Sequence, residues 1–565
     1  MGSLFSSMDI ALSGLQAAQV QMDVAGHNIA NVNKEGYSRQ RVSLAARAPI
    51  SRSYGQLGRG VQVQDIERLR EDFLDTVYRQ QTPGLGSAEV RASYFQRVED
   101  LFAEPGVNGF GNRLTEFFSA LNDFANNVEE QPVRMSAIVQ AQSLATSLNQ
   151  VAEQVYALRT NANEEVRNAV PEINSLTGQI AALNVTIRKA ELGGRKANDL
   201  RDERDVLIDN LSKLVNISYR ERPDGQVDVF LSGDVLVSGE DSRTLEAVRD
   251  PSLDPQRSDL VRVQYADNGT AVDIRDGEIY GALTTRDTDL VQVASSLDTI
   301  AATIIQEINK IHSAGNGLDN LSGTITASNS VNDATAPLAS AGLPFSVSPG
   351  SFDVIVYDAS GNPTTTTVTI TAATTLTSLV ADLNAIPNFS ASIGADNALS
   401  LGASSPNTYS FANDTSGVLT ALGINGLFTG HSAGTIAVNT DIVNHPRWLT
   451  SGYSTDVLNT GDNSAAIDLA NVQNNLVLDT GSATINDFYE SMIVRVGVDA
   501  RANAQTLDVQ QSFVDDFQQR RLEVSGVSID EEVTQMLQFQ RGFEASARVI
   551  TVVDRMLDAL LAMAQ

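Results

Sequence analysis

The chain carries four histidines, His27, His312, His431 and His445, and no cysteine. Histidine and cysteine are the side chains best suited to hold a transition metal or to act as proton carrier or nucleophile near neutral pH. None of the four histidines stands in an HExxH pair or a close two-histidine spacing, so no metal or cofactor site is expected. The lack of cysteine excludes disulfides, thiolate nucleophiles and thiolate metal sites. There is no GxSxG elbow, no P-loop and no dinucleotide fingerprint after a strand. Gly55, Gly58 and Gly60 lie in a predicted turn without phosphate-loop context. Carboxylates are abundant, 69 Asp and Glu against 39 Lys and Arg, yet no spacing marks out an acid/base couple. His312 closes a predicted helix and reads as a partner for the helix dipole or a surface residue. Trp448, the only tryptophan, sits in HPRWLTSGY and reads as a packing residue at a domain junction. No catalytic residue is assigned, and the chain is expected not to be an enzyme.

At 565 residues the chain is too long for one hydrophobic core, and roughly three to five domains are expected. A net charge of -30 argues against nucleic-acid binding, which needs a basic face, and against docking on anionic lipid. No window reaches the ~18 uninterrupted apolar residues of a membrane span. The start, MGSLFSSMDIALSGLQ, has no basic region ahead of its apolar residues and does not read as a cleaved signal peptide.

The elements that could position binding residues are helical at both ends. Leu4, Met8, Ala11, Leu15, Ala18, Met22, Ala25 and Ile29 alternate spacings of four and three, a heptad stripe. Gly26, Asn28, Asn31, Asn33 and Gly36 then break the pattern into a loop. At the other end Ser528 and Glu531 form a capping-box pattern. A second stripe follows: Met536, Phe539, Phe543, Ser546, Ile550, Val553, Leu557 and Leu560. Two bare apolar stripes at the chain ends are expected to pair with each other or with other subunits.

Further helices are predicted over 87–165, from Pro171 to Leu214 with an interruption at Gly193-Gly194, and over 484–524. From about 216 the apolar period changes to two, with turns at Pro223-Asp224-Gly225 and Ser232-Gly233-Asp234. A helix near 287–312 interrupts these strands. Residues 315–343 read as irregular, and a β-β-α-β-β module is predicted from Phe345 onward. The fold class is α+β and multidomain: N- and C-terminal helices pairing as a coiled coil or bundle, with two β-rich modules inserted in the middle of the chain. Four parts are expected: 1–40 with 525–565, a terminal polymerisation region; 41–215 with 455–524, a helical bundle; 216–314 with 440–454, a β-rich domain; and 315–439, a second β-rich insertion with no assigned role.

The segment AAQVQMDVAGHNIANVNKEGYSRQRV resembles the N-terminal signature of the flagellar axial proteins, the rod, hook and hook-associated family. Its matching positions are Asn28, Ile29, Ala30, Asn31, Gly36 and Tyr37, continued by Ser38, Arg39 and Gln40. The C-terminal stretch from Ser525 resembles the matching signature, carried by Ser525-Gly526-Val527, Asp530-Glu531-Glu532 and Gln538-Phe539-Gln540. Two islands add to the likeness, Asn198-Asp199-Leu200 with Arg204-Asp205, and Thr460-Gly461-Asp462-Asn463.

The resemblance implies an exported structural subunit that polymerises, placed between hook and filament. It implies a location outside the cell in the flagellum, reached through the flagellar type III export channel. Implied partners are further copies of the chain, the hook protein, a second protein of the hook-filament junction, and a cytoplasmic export chaperone on the C-terminal helix. The expected polymer interface is Leu4, Met8, Leu15, Met22 and Ile29 with Met536, Phe539, Phe543, Ile550, Val553, Leu557 and Leu560. The signature loop is Asn28, Asn31, Gly36, Tyr37, Arg39 and Gln40. The alternatives are another axial protein, of hook or distal rod, and an adhesin or enzyme using the β modules.

Overall fold

The computed structural model describes residues 2–53, 55–102, 109–254, 257, 259–454 and 458–564. In chain order, α1 (Gly2–Ala30) leads into β1 (Gln40–Ala46), β2 (Ile50–Arg52), β3 (Gly55–Leu57) and β4 (Val61–Arg68). Then come α2 (Asp72–Phe102), α3 (Phe110–Asn126), α4 (Gln131–Glu191) and α5 (Asn198–Leu214). The strands β5 (Ile217–Glu221), β6 (Val227–Leu231), β7 (Asp234–Ser238), β8 (Asp241–Ser242), β9 (Leu245–Arg249) and β10 (Val261–Tyr265) precede α6 (Glu278–Thr284) and α7 (Leu290–His312). Next are β11 (Gly315–Asn316), β12 (Thr324–Ser330), β13 (Gly350–Tyr357), β14 (Pro363–Ile370), α8 (Leu376–Asn384), β15 (Phe389–Ile393), β16 (Ala398–Ala403) and β17 (Thr408–Ala412). Short elements follow: α9 (Val418–Leu422), β18 (Phe428–Thr429), β19 (Ala437–Val438), α10 (Thr440–Asn444), β20 (Gly452–Tyr453) and α11 (Ser464–Asn471). The chain closes with α12 (Ile485–Ser525) and α13 (Ile529–Ala564). The α+β class is observed, with long helices at the ends and the β-rich segments between them.

The chain forms two compact units. The first comprises Met1–Ser93, Asn161–Thr285 and Ala502–Gln565. Its core lies where α4 and α5 cover the antiparallel sheet β5-β6-β7-β8 and the pair β9-β10. The alternation read in VDVFL places Val227, Val229 and Leu231 inward against Val166, Ile173, Ile180, Ile208 and Leu211. Polar groups on α4 fasten the strands. Asn163 Oδ1 accepts from Val261 N at 2.9 Å, Asn174 Oδ1 from Leu245 N at 2.8 Å and Asn184 Oδ1 from Val227 N at 3.0 Å. The three asparagines recur about every three helical turns, so one helix face reads one edge after another of the β layer.

Pro171 does not open a new helix, as the sequence reading expected. It lies inside α4, which runs unbroken for 61 residues. An interior proline costs a helix about 3 kcal/mol. Around it Val166, Val170, Ile173 and Leu176 are all buried, and that burial outweighs the lost hydrogen bond. The stretch 40–68, for which no strand was expected, forms β1–β4. β1 pairs antiparallel with β4 and β2 with β3.

The second unit comprises Tyr94–Thr160 and Arg286–Arg501. Phe117, Leu121 and Phe124 of α3, Leu144, Leu148 and Val155 of α4, and Leu297, Ile300, Ile304 and Ile308 of α7 are all buried. The β-β-α-β-β module appears as β13, β14, α8, β15 and β16. β12, inside the stretch read as irregular, joins it in the sheet order β12-β16-β15, while the other sheet is β14-β13-β17. Thr375 caps α8 by accepting from Ser378 N at 3.1 Å.

His312 does end its helix, but it is fully buried rather than at the surface. Its Nδ1 lies 2.7 Å from the Asn425 carbonyl and its Nε2 accepts from Thr450 N at 3.2 Å, a pattern that fits neutral imidazole. Burial above all, with the nearby Arg134 guanidinium, lowers its pKa to about 4 against the bond to Asn425. A base with a depressed folded-state pKa loses stability as pH falls from its unfolded value toward its folded one. The second unit is therefore expected to lose on the order of 3 kcal/mol between about pH 6.5 and pH 4 from this residue. Urea melts across that range should show the slope, and His312→Gln should flatten it.

Candidate functional site: the paired chain ends

α1 and α13 run antiparallel. Asn28 meets Glu532 at one end of the pair, and Gly14 meets Ser546 about four helical turns away, where a Cβ on Gly14 would come within 3.0 Å of the serine hydroxyl. Small residues set this close approach: Ala11, Ala18 and Ala25 are the buried members of the α1 stripe. Met8, Leu15, Met22 and Ile29 are half-buried beside them. The side chain of Leu4 lies outside the described residues. On α13, Val553 is buried, Met536, Phe539, Phe543, Ile550 and Leu557 are half-buried, and Leu560 is exposed.

A second apolar set escaped the sequence reading. Phe5, Ile10 and Leu12 on α1, and Val533, Leu537, Val549, Val552, Met556 and Leu561 on α13, are exposed. The recurrence of Val533, Leu537 and then Val549, Val552 and Met556 at three and four residues was the available signal. A helix pair apolar on its outer face as well as its seam has surface left for further contacts.

At the Asn28 end the loop after α1 meets the start of α13. α1 runs to Ala30, so Gly26 and Asn28 stay helical and the expected break comes at Asn31, with Asn33 and Gly36 in the loop. Asn28 is buried and uses its whole side chain. Its Oδ1 accepts from the Tyr37 hydroxyl at 2.8 Å and from Gln40 N at 3.0 Å. Its Nδ2 donates to Gln40 O at 2.9 Å and to Glu532 Oε2 at 3.0 Å. Glu532, itself 2 % exposed, takes Arg39 Nε at 2.6 Å on its other oxygen. Arg39 also reaches the exposed Glu531 at 2.8 Å, and its backbone N–H donates to Ser525 O at 2.8 Å. Burial, followed by the charges of Asp199, Asp202 and Glu532, pushes the Tyr37 phenol up, so it stays a donor. Asn31 donates to His27 O at 2.9 Å and closes the end of α1. Gly36 adopts φ +71, and a Cβ there would lie 2.0 Å from a Val206 methyl, so only glycine fits.

The Asn198–Asp205 island arrives at the same loop. Gln40 Nε2 donates to Asp199 at 2.7 Å, and Asn198 Nδ2 donates to Ile66 O on β4 at 2.7 Å. Ser38 donates to Asp202 through both its N–H, at 2.8 Å, and its hydroxyl, at 2.7 Å. Beneath the loop lies a charge cluster of Arg68, Arg70, Arg79 and Arg521 with Asp75, Asp202, Asp205 and Asp209. Arg68, Arg70 and Arg79 converge on Asp205 at 2.8, 3.1 and 3.2 Å. Arg521 of α12 bridges Asp75 and Asp209, each at 2.8 Å. Burial would raise the Asp205 carboxyl, but the guanidinium groups of Arg70, Arg79 and Arg68 outweigh it and hold it far below the usual carboxylate range. The island at 460–463 lies elsewhere, in the second unit, where Asn463 Nδ2 donates to Ala125 O at 2.8 Å in the last turn of α3.

Among the described residues no group of three acidic or histidine side chains could hold a metal ion. No described helix is long and apolar enough to cross a membrane. The arrangement is a tied helix pair with an outer apolar surface.

Three family models match the chain. "Flagellar hook-associated protein FlgK helical domain" covers residues 95–325, "Flagella basal body rod protein" residues 8–37, and "Flagellar basal body rod FlgEFG protein C-terminal" residues 518–563. The last two cover the two members of the helix pair. The chain is 27% identical to flagellar hook-associated protein 1 of Bacillus subtilis, over 99% of this chain and 98% of the relative. It is 27% identical to that of Salmonella typhimurium over 98% and 99%, and 25% identical to that of Escherichia coli over 99% and 100%. A solved structure titled "The structure of the flagellar hook junction protein FlgK from Burkholderia pseudomallei" shares the fold, with a TM-score of 0.51 and 17% identity over 80% of this chain and all of that one.

Proposed function

We propose, from the premise that the chain belongs to the flagellar hook-associated protein 1 family, that it is the structural subunit joining hook to filament in a bacterial flagellum. The observation that carries this reading is the meeting of both terminal signatures at one point, where Asn28 and Arg39 grip Glu532, in a chain alike to its relatives from end to end. The flagellum is its site of action. Its work is mechanical, not enzymatic.

The paired stripes, Met8 to Ile29 and Met536 to Leu560, and their outer apolar surface are the polymer contacts. The hook protein and a second junction protein are the neighbours on either side. Until assembly, the exposed apolar residues of α13 need a cover, which a cytoplasmic export chaperone supplies. Export proceeds through the flagellar channel. The four-part division, with terminal pair, bundle, β-rich domain and 315–439 insertion, is the working plan of its domains.

Removing the chain from the source bacterium tests the reading. Hooks without filaments, with flagellin shed into the medium and filaments restored by the full chain, are expected. Normal filaments in its absence would overturn it.

A further inference from the structure

We propose that the β2–β3 ribbon is a docking arm that seats on α12 of a second copy of this chain. Charge is segregated along the sequence. From Gly36 to Gln64 there are five arginines, Arg39, Arg41, Arg47, Arg52 and Arg59, and no carboxylate, in a chain of net charge -30. Arg39 is spent on Glu531 and Glu532, and Arg41 approaches Glu67 at 4.0 Å. Arg47, Arg52 and Arg59 form no ion pair among the described residues.

The ribbon is tied at its base, where Arg47 N donates to Gly60 O at 3.0 Å, and every described residue from 48 to 59 is exposed. Two three-residue strands gain little stability from each other alone. Yet Ile50 and Leu57 are cross-strand partners, at 37% and 36% exposure, and Arg52 shares their face two residues from Ile50. An apolar pair flanked by an unpaired arginine has the composition of an interface centre.

The matching half lies on α12. Val509 and Phe513, one turn apart, are exposed at 52% and 49%, with Asp516 on the same face and Asp508 and Asp515 beside them. Among the described residues Asp516 pairs only with the exposed Arg520, at 2.9 Å. Cross-strand and i,i+4 pairs both space their side chains about 5–6 Å apart. Ile50 and Leu57 therefore match Val509 and Phe513, with Arg52 set against Asp516. Both halves stand uncovered in one chain, and a second copy supplies each to the other. Such a contact joins different patches and so propagates from copy to copy, as a polymer requires.

The inference rests on the assembly reading, and its test is separable from it. The chain has no cysteine, so Ser53→Cys with Ser512→Cys places the only thiols in the ribbon and on the ridge. Hook-filament assemblies from cells with this variant as sole copy are treated with a bismaleimide. A ladder of multimers that neither single variant yields is expected. Arg52→Asp should lower the fraction of hooks bearing filaments on the order of tenfold, and Asp516→Arg added to it should restore that fraction. Filamented hooks with no ladder, or a Ser53→Cys product with a different acidic protein, would overturn the docking arm while leaving the junction reading intact. Normal filaments without the chain would instead fell the junction reading.

Discussion

Asp205→Asn is expected to destabilise the first unit by about 3–5 kcal/mol, the cost of breaking a buried ion pair from one side. The substitution keeps the shape of the carboxylate and removes its charge. Arg68, Arg70 and Arg79 would be left facing one another, with Asp202, Asp75 and Asp209 as the remaining counter-charges. The guanidinium groups cannot shed their protons, so the penalty has no escape through titration. Urea unfolding should show the lower midpoint. A midpoint within about 0.5 kcal/mol of the parent, the range for an ordinary surface change, would mean the cluster does not hold this unit together.

Glu532→Ala is expected to free α13 from the loop without unfolding the rest. It strands Arg39 Nε and the Asn28 Nδ2 hydrogen not already given to Gln40 O, both of which now donate to a carboxylate that is 2 % exposed. Loss of charge-assisted bonds that leaves buried donors unpaired costs on the order of 3 kcal/mol. Hydrogen exchange of the α13 amides should therefore quicken about a hundredfold, with the α4–α5 core unchanged. Glu531→Ala is the internal control, because the Glu531 side chain is 62% exposed and its bond to Arg39 is screened by water. Equal effects from the two would contradict the geometry.

The parts of the fold legible in the sequence are those governed by periodicity. The helices at both ends, read from their heptad stripes, the strand VDVFL and the ββαββ module all follow from local pattern, and each of these elements is observed. Features decided by distant partners were not legible. Asp205 and Arg70 lie far apart in sequence, and no local pattern joins them. Pro171 marks a helix start by local rules, and only the buried residues around it keep α4 whole. The strands β2 and β3 have only three residues each, too few to show a period, whereas the alternation VQVQDI in β4 was an available signal for the longer pair. His312 was read from its place at a helix end, whereas its burial is fixed by Asn425 and Thr450. The loop residues Asn28, Gly36, Tyr37, Arg39 and Gln40 were visible as a family pattern. Their reason, one knot joining α1, α5 and α13, needed coordinates. That knot also accounts for the Asn198–Asp205 island, which the sequence marked without a cause.

The most direct measurement is to make a chain lacking residues 530–565 the sole copy in the source bacterium, then image the cell surface and assay the medium for flagellin. Bare hooks with shed flagellin are predicted, because the truncation removes one partner of the helix pair together with Glu532. Normal filaments and normal swimming would contradict the account and return the search for function to the β modules.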